Sequence, residues 1–274
     1  MEVWGGNQAV EKSFLMPGLN VWLTSRPYQA ARGGGDVYYI SSCASGRITR
    51  LLLADVSGHG AAVSNVAIGL RDLMRRNVNL MNQRKFVSEM NRQFADRSED
   101  SAFATALTCS YFAPTRKLSL CNAGHPPPLL YESAARSWRF IEQQSNSQKK
   151  ISNTPLGIFE EAAYVQFEIT LNVGDMVLIY SDAFIEAVDS SGEQLGMEGM
   201  AKIVNQLDIS SPEQIVPNIA KAIRDCAEEN LSDDDATMML VRCDGTGSTI
   251  INNLLAPLRL LRKATDAVKL SSDQ

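Results

Sequence analysis

Two apolar runs, Leu51-Leu52-Leu53-Ala54 and Val177-Leu178-Ile179-Tyr180-Ser181, each end in a single carboxylate, Asp55 and Asp182. A third run is opened by the acidic cluster SDDDAT (232–237), and GGGD (33–36) puts Asp36 at the head of a fourth. One Asp at a strand end needs no explanation beyond its hydrogen bonds in the adjoining turn. Four are a different matter. Carboxylates gathered in one place repel each other and resist desolvation unless a cation compensates them. Oxygen-only donors of this kind suit hard divalent ions, Mg²⁺ or Mn²⁺, with waters completing the shell. Small residues flank the acids. ADVSGHGAAVS (54–64) lets the backbone approach a ligand before a helix begins, with the Val56 carbonyl as a further donor. Gly33, Gly34 and Gly35 do the same beside Asp36.

The elements that must position these residues follow from hydrophobic periodicity. Strands are predicted at 19–25, 36–43, 47–57, 104–113, 117–124, 128–132, 137–143, 164–171, 176–182 and 236–243, from β-branched, aromatic and alternating residues. The three strands between 104 and 132 read as a meander with Gly and Pro at its corners. Helices are predicted from Ala61, where Val63, Val66, Ala67, Leu70, Leu73 and Met74 recur at helical spacing, and at 85–97, 197–208 and 213–229. Many strands with two pairs of helices predict two packed sheets covered by helices, not the βαβ alternation of a doubly wound fold.

The chain has 274 residues, 45% hydrophobic and 21% charged, which excludes disorder throughout. Its net charge of −5 offers no basic field for nucleic acid. Five cysteines without a CxxC pair argue against a zinc ribbon or a disulfide framework and fit a reducing cytosol. No apolar run approaches a membrane span, and the N-terminus lacks a secretory pattern, so a cytoplasmic location is expected. Residues 1–18 read as an N-terminal segment, 19–243 as the domain and 244–274 as an extension. In the extension Ile251, Leu254, Leu255, Leu258 and Leu261 form a helical stripe. That stripe can pack on its own domain, drive self-association as a homodimer, or meet a partner or membrane surface.

Six ordered motifs carry a family resemblance: GGGD (33–36), LLLADVSGHGAAV (51–63), NAGHPPPLL (122–130), PLGIF (155–159), GDMVLIYSDAFIEA (174–187) and DDATMMLVR (234–242). Together they resemble bacterial PP2C-type serine/threonine phosphatases of the SpoIIE and RsbU branch. The resemblance implies an α+β fold, a four-layer α-β-β-α sandwich of two antiparallel sheets, with two Mn²⁺ or Mg²⁺ ions at one end. It implies that Asp55 bridges the ions, that Asp36 and the Val56 carbonyl serve one and Asp182 and Asp234 the other, with Asp235 alongside. It further implies hydrolysis of phosphoserine or phosphothreonine on a protein, in the family usually a STAS-type anti-anti-sigma factor in partner-switching signal transduction. The chain departs from the family where Thr-Asp-Gly is usual: it reads Ser181-Asp182-Ala183. Tyr39 stands where a second Asp is common.

His59 reads either as a polar residue at a helix start or as a general acid for the leaving alkoxide. In relatives with Asp-Gly-His-Gly, the position two residues after the Asp is His; here it is Ser57. His125 reads as structural, between a strand and a rigid Pro turn. The rival function from another class is a non-catalytic pseudophosphatase that binds a phosphoprotein. A receiver domain with Asp55 as phosphoacceptor would need regular β/α alternation, which the pattern lacks.

Overall fold

The computed structural model describes residues 2–43, 45–58, 61–96, 102–141 and 153–246. One sheet takes the order β1 (Glu2–Gly6), β4 (Asp36–Ser42), β5 (Ile48–Val56), β6 (Ala104–Phe112), β7 (Lys117–Ala123), β10 (Gln166–Thr170). The other runs β2 (Val10–Met16), β3 (Leu19–Arg26), β12 (Ala236–Cys243), β11 (Met176–Tyr180), β8 (Leu129–Glu132), β9 (Ser137–Phe140). Every pairing within both sheets is antiparallel. Helices α1 (Ala61–Asn77) and α2 (Gln83–Ala95) cover the first sheet, and α3 (Ala183–Glu186), α4 (Gly196–Gln206) and α5 (Pro212–Cys226) the second. This is the four-layer sandwich and α+β class that the resemblance implied.

Period-2 alternation separates the layers. On β5, Leu51 and Leu53 point between the sheets toward a cluster with Val21, Leu23, Val177, Ile179, Met239 and Val241. Their neighbours Leu52, Ala54 and Val56 point the other way, onto Ala67, Leu70, Leu73 and Met74 of α1. Each fully buried Leu or Met of that stripe contributes about 1.5–3 kcal/mol. On the second sheet, Met238 and Leu240 meet Ile215, Ile219 and Ile223 of α5.

Three expectations need correction. Residues 1–18, read as a segment before the first strand, supply β1 and β2, one to each sheet. The signal was weak because β1 ends in Gly5 and Gly6, which fit against the Tyr39 and Tyr38 rings, while β2 is a half-exposed edge strand. The meander is also broken: β6 and β7 stay in one sheet, and β8 pairs with β11 in the other. Pro126, Pro127 and Pro128 have no N–H for a ladder and carry the chain across. Finally, the short α3 directly after Asp182 was not foreseen. The apolar stripe of the C-terminal extension lies outside the described residues.

Candidate active site

At one end of the sandwich the residues facing the gap between the sheets change from apolar to polar, strand by strand. Leu23 gives way to Ser25 on β3, Leu53 to Asp55 on β5, Leu107 to Thr105 on β6, and Met239 to Thr237 on β12. Asp36 occupies the same level, because it pairs directly with Asp55 across β4 and β5, and Asp55 in turn pairs with Thr105. From the second sheet, the chain leaves β11 through Ser181 and Asp182. The Ser25 and Thr237 hydroxyls share a 2.8 Å hydrogen bond, and Thr237 N–H donates to Ser181 Oγ at 3.0 Å.

The glycine run is explained by what presses against it. A Cβ on Gly34 would overlap the Asp235 carboxylate, and one on Gly35 would lie 2.8 Å from the Val56 carbonyl oxygen. Asp235 fills that space because it accepts N–H bonds from Gly35 (2.6 Å) and Tyr28 (2.7 Å), fixing the loop between β3 and β4. On the other side, Asn7 Nδ2 donates to the Gly34 carbonyl (2.9 Å) and to Ser64 Oγ on α1 (2.9 Å). Asn7 comes from the unforeseen β1–β2 turn and had no signal in the sequence.

The electrostatics are those of a site short of positive charge. Asp36 is 2% exposed, and neither of its carboxylate oxygens has a hydrogen-bond partner. Burial first and then the Asp55 charge, with a smaller contribution from Asp235, hold its carboxyl well above the usual range; the Thr237 and Ser181 hydroxyls pull the other way without reaching bonding geometry. Asp55 is pushed up to about 8 by burial and by the charges of Asp182, Asp234, Asp235 and Glu186. Burial and Glu186 also raise Asp182. Glu186, one helical turn after Asp182, is a member of the cluster that strand-end reasoning missed; its i, i+4 spacing was the available signal.

The structure thus brings Asp36, Asp55, Asp182, Asp234 and Asp235 into one electrostatic cluster. Among the described residues, no three carboxylate, imidazole or thiol groups converge tightly enough to hold an ion as they stand. The donor chemistry nevertheless fits hard cations, since a doubly orphaned buried carboxylate beside a second acid is the feature a divalent ion compensates. Val56 turns its carbonyl toward Gly35. Ser57 is engaged elsewhere, exchanging bonds with Phe103 through its backbone N–H (2.9 Å) and its Oγ (3.2 Å). His59 lies outside the described residues. His125 is buried beside Thr105, and Ala183 opens α3 with a negative φ, so no left-handed position exists there for a glycine.

Residues 45–244 match the family described as Stage II sporulation protein E (SpoIIE). Asp36 and the glycine loop precede that match. Phosphoserine phosphatase RsbU of Bacillus subtilis (strain 168) is 23% identical over 217 residues, covering 78% of this chain and 61% of RsbU. The chain therefore spans about three fifths of that relative's length. Among solved structures, the RsbU and RsbW domains of Rv1364c from Mycobacterium tuberculosis superpose with a TM-score of 0.71 at 22% identity, over 88% of this chain and 64% of that one. The PP2C phosphatase domain and regulatory fragment of SpoIIE from Bacillus subtilis superpose with a TM-score of 0.67 at 15% identity, over 88% and 63%.

Proposed function

Because the chain belongs to the SpoIIE family of PP2C-type phosphatases, we propose that it is a metal-dependent protein serine/threonine phosphatase. The observation that carries this reading is Asp36: a buried carboxylate with two unpartnered oxygens, standing directly opposite Asp55. Such a pair is stable as two anions only with a cation between or beside them. Asp36, Asp55 and the Val56 carbonyl would hold cations from one sheet, and Asp182 and Asp234 from the other. When bound, two Mn²⁺ or Mg²⁺ ions would lower the pKa of a shared water and offset the charge on the phosphoryl oxygens.

The chain's own residues do the rest. Asp235, bonded to Gly35 and Tyr28, keeps the loop ahead of Asp36 pressed against β5, so that the carboxylate pair does not swing apart. With the cations bound, the attacking water would give up a proton as its oxygen bonds to phosphorus, and the serine or threonine oxygen would leave in line and take up a proton, giving the free hydroxyl and inorganic phosphate. The substrate we propose is a phosphoserine or phosphothreonine of a STAS-type anti-anti-sigma protein in a cytoplasmic partner-switching pathway. Support comes from RsbU, whose name describes a phosphoserine phosphatase.

A second reading is a pseudophosphatase that docks a phosphoprotein without cleaving it, since among the described residues no three acidic, imidazole or thiol groups converge as they stand. Release of phosphate from p-nitrophenyl phosphate and from a STAS phosphoprotein separates the two. Turnover that depends on Mn²⁺ or Mg²⁺ and stops with EDTA supports the enzyme; tight binding of the phosphoprotein without turnover supports the binding module. Self-association through the stripe of the C-terminal extension is part of the proposal and is tested by solution mass with and without residues 247–274.

A further inference from the structure

His125, in the GHPPP crossover, reaches the site end of both sheets. It is 4% exposed, which removes it from substrate. Its Nδ1 lies 2.8 Å from Thr105 Oγ1, and Thr105 is the cross-strand partner of Asp55 on the same face. Directly opposite residues of an antiparallel pair hold their Cβ atoms about 4.5–5.5 Å apart, so the Thr105 hydroxyl is the immediate lateral neighbour of the Asp55 carboxylate. The ring also feels the backbone of Tyr180, the residue before Ser181-Asp182, while its buried Nε2 has no hydrogen-bond partner. Two further bonds pin the crossover. Tyr180 Oη donates to the Pro127 carbonyl at 3.0 Å, and Asn122 closes a reciprocal pair with the His125 backbone, both at 2.8 Å.

We propose that His125 is a positioning residue that sets the gap between Asp55 on one sheet and Asp182 on the other, and with it the affinity of the cation site. The inference rests on the metal-dependent reading given above. Burial lowers the ring to about 3, so it stays neutral at working pH and braces the sheets without adding a charge to the cluster. Its role is geometric: Thr105 fixes the ring on the Asp55 side, and the crossover fixes it on the Tyr180 side.

The test is calorimetric titration of the full chain with Mn²⁺, together with the melting temperature of the metal-free protein. His125→Phe and Thr105→Val are each expected to weaken Mn²⁺ binding at least tenfold. The double variant should be no weaker than the poorer single, because both remove one brace. Thr105→Ser, which keeps the hydroxyl, should bind Mn²⁺ within threefold of wild type. A merely structural histidine would lower the melting temperature and leave Mn²⁺ affinity unchanged, and that result overturns the inference; so do losses that multiply in the double variant. Should His125→Phe fail to fold, His125→Asn takes its place at the same threshold, since its amide occupies the Nδ1 position but does not span to Tyr180. A wild-type protein that binds no Mn²⁺ overturns the metal-dependent reading itself, an outcome distinct from wild-type binding that the variants leave intact.

Discussion

Asp36 and Asp55 stand directly opposite each other on β4 and β5, both facing the gap between the sheets, and Asp36 has no hydrogen-bond partner at either oxygen. A pair in this register shares whatever charge compensates it. Replacing Asp55 with Asn removes half of the negative charge of the pair and leaves the fold's apolar layer untouched. Mn²⁺-dependent turnover of p-nitrophenyl phosphate is expected to fall at least tenfold, a barrier increase of about 1.4 kcal/mol or more. A variant that keeps more than a tenth of wild-type turnover would remove Asp55 from the centre of the site.

The same pair couples stability to pH. Asp36, Asp55 and Asp182 all have raised carboxyls in the folded, cation-free protein, Asp55 to about 8. The folded state therefore binds more protons than the unfolded chain, so the stability these groups lend is present below about pH 4 and is lost as pH rises toward the folded values. The slope is up to about 1.4 kcal/mol per pH unit for each group while it titrates. Thermal melts in EDTA should show the loss between pH 5.5 and 8, and the gain from saturating Mn²⁺ should be larger at pH 8. An equal gain at both values would show that the cation does not replace those protons.

Gly34 offers a test of the loop that precedes Asp36. The Asp235 carboxylate occupies the space a Cβ would need, so Gly34→Ala should cost about 1–3 kcal/mol through overpacking. Gly69, in the middle of α1, has nothing within 4 Å of where a Cβ would sit. There the same change should stabilise by up to about 1 kcal/mol through helix propensity. Urea denaturation of the two variants gives opposite signs if close approach, and not backbone freedom alone, explains the glycine run.

Much of this was legible because the relevant signals are local. The strand ends at Asp55 and Asp182 and the acidic opening of β12 are visible as a change from apolar to acidic residues. The layers follow from alternation on β5 and β12. Asn7 and β1 were not legible, since a strand ending in two glycines is recognisable only from the tyrosine rings that cover it. The sheet assignment of β8 was hidden for a similar reason: the hydrogen-bonding partner of a short apolar run is a tertiary fact. Glu186 was missed because attention to strand ends overlooks the first turn of a four-residue helix.

Ala183 stands where the resemblance leads one to expect glycine, and the backbone says what alanine does there. Asp182 has φ −64° and ψ −25°, and Ala183 continues that right-handed conformation as the first residue of α3. Glycine at this position would relieve no strain, since none is present, and would lose up to about 1 kcal/mol of helix propensity. Ala183 is also buried against the cluster of α4 and α5, so its methyl contributes packing that glycine lacks. Ala183→Gly should therefore lower the melting temperature slightly and change Mn²⁺-dependent turnover by less than tenfold, or about 1.4 kcal/mol. Calorimetry should find the same number of Mn²⁺ sites in both proteins. If glycine instead adds a site and raises turnover more than tenfold, the methyl blocks a cation, and the natural protein is better described as a binding module for phosphoproteins.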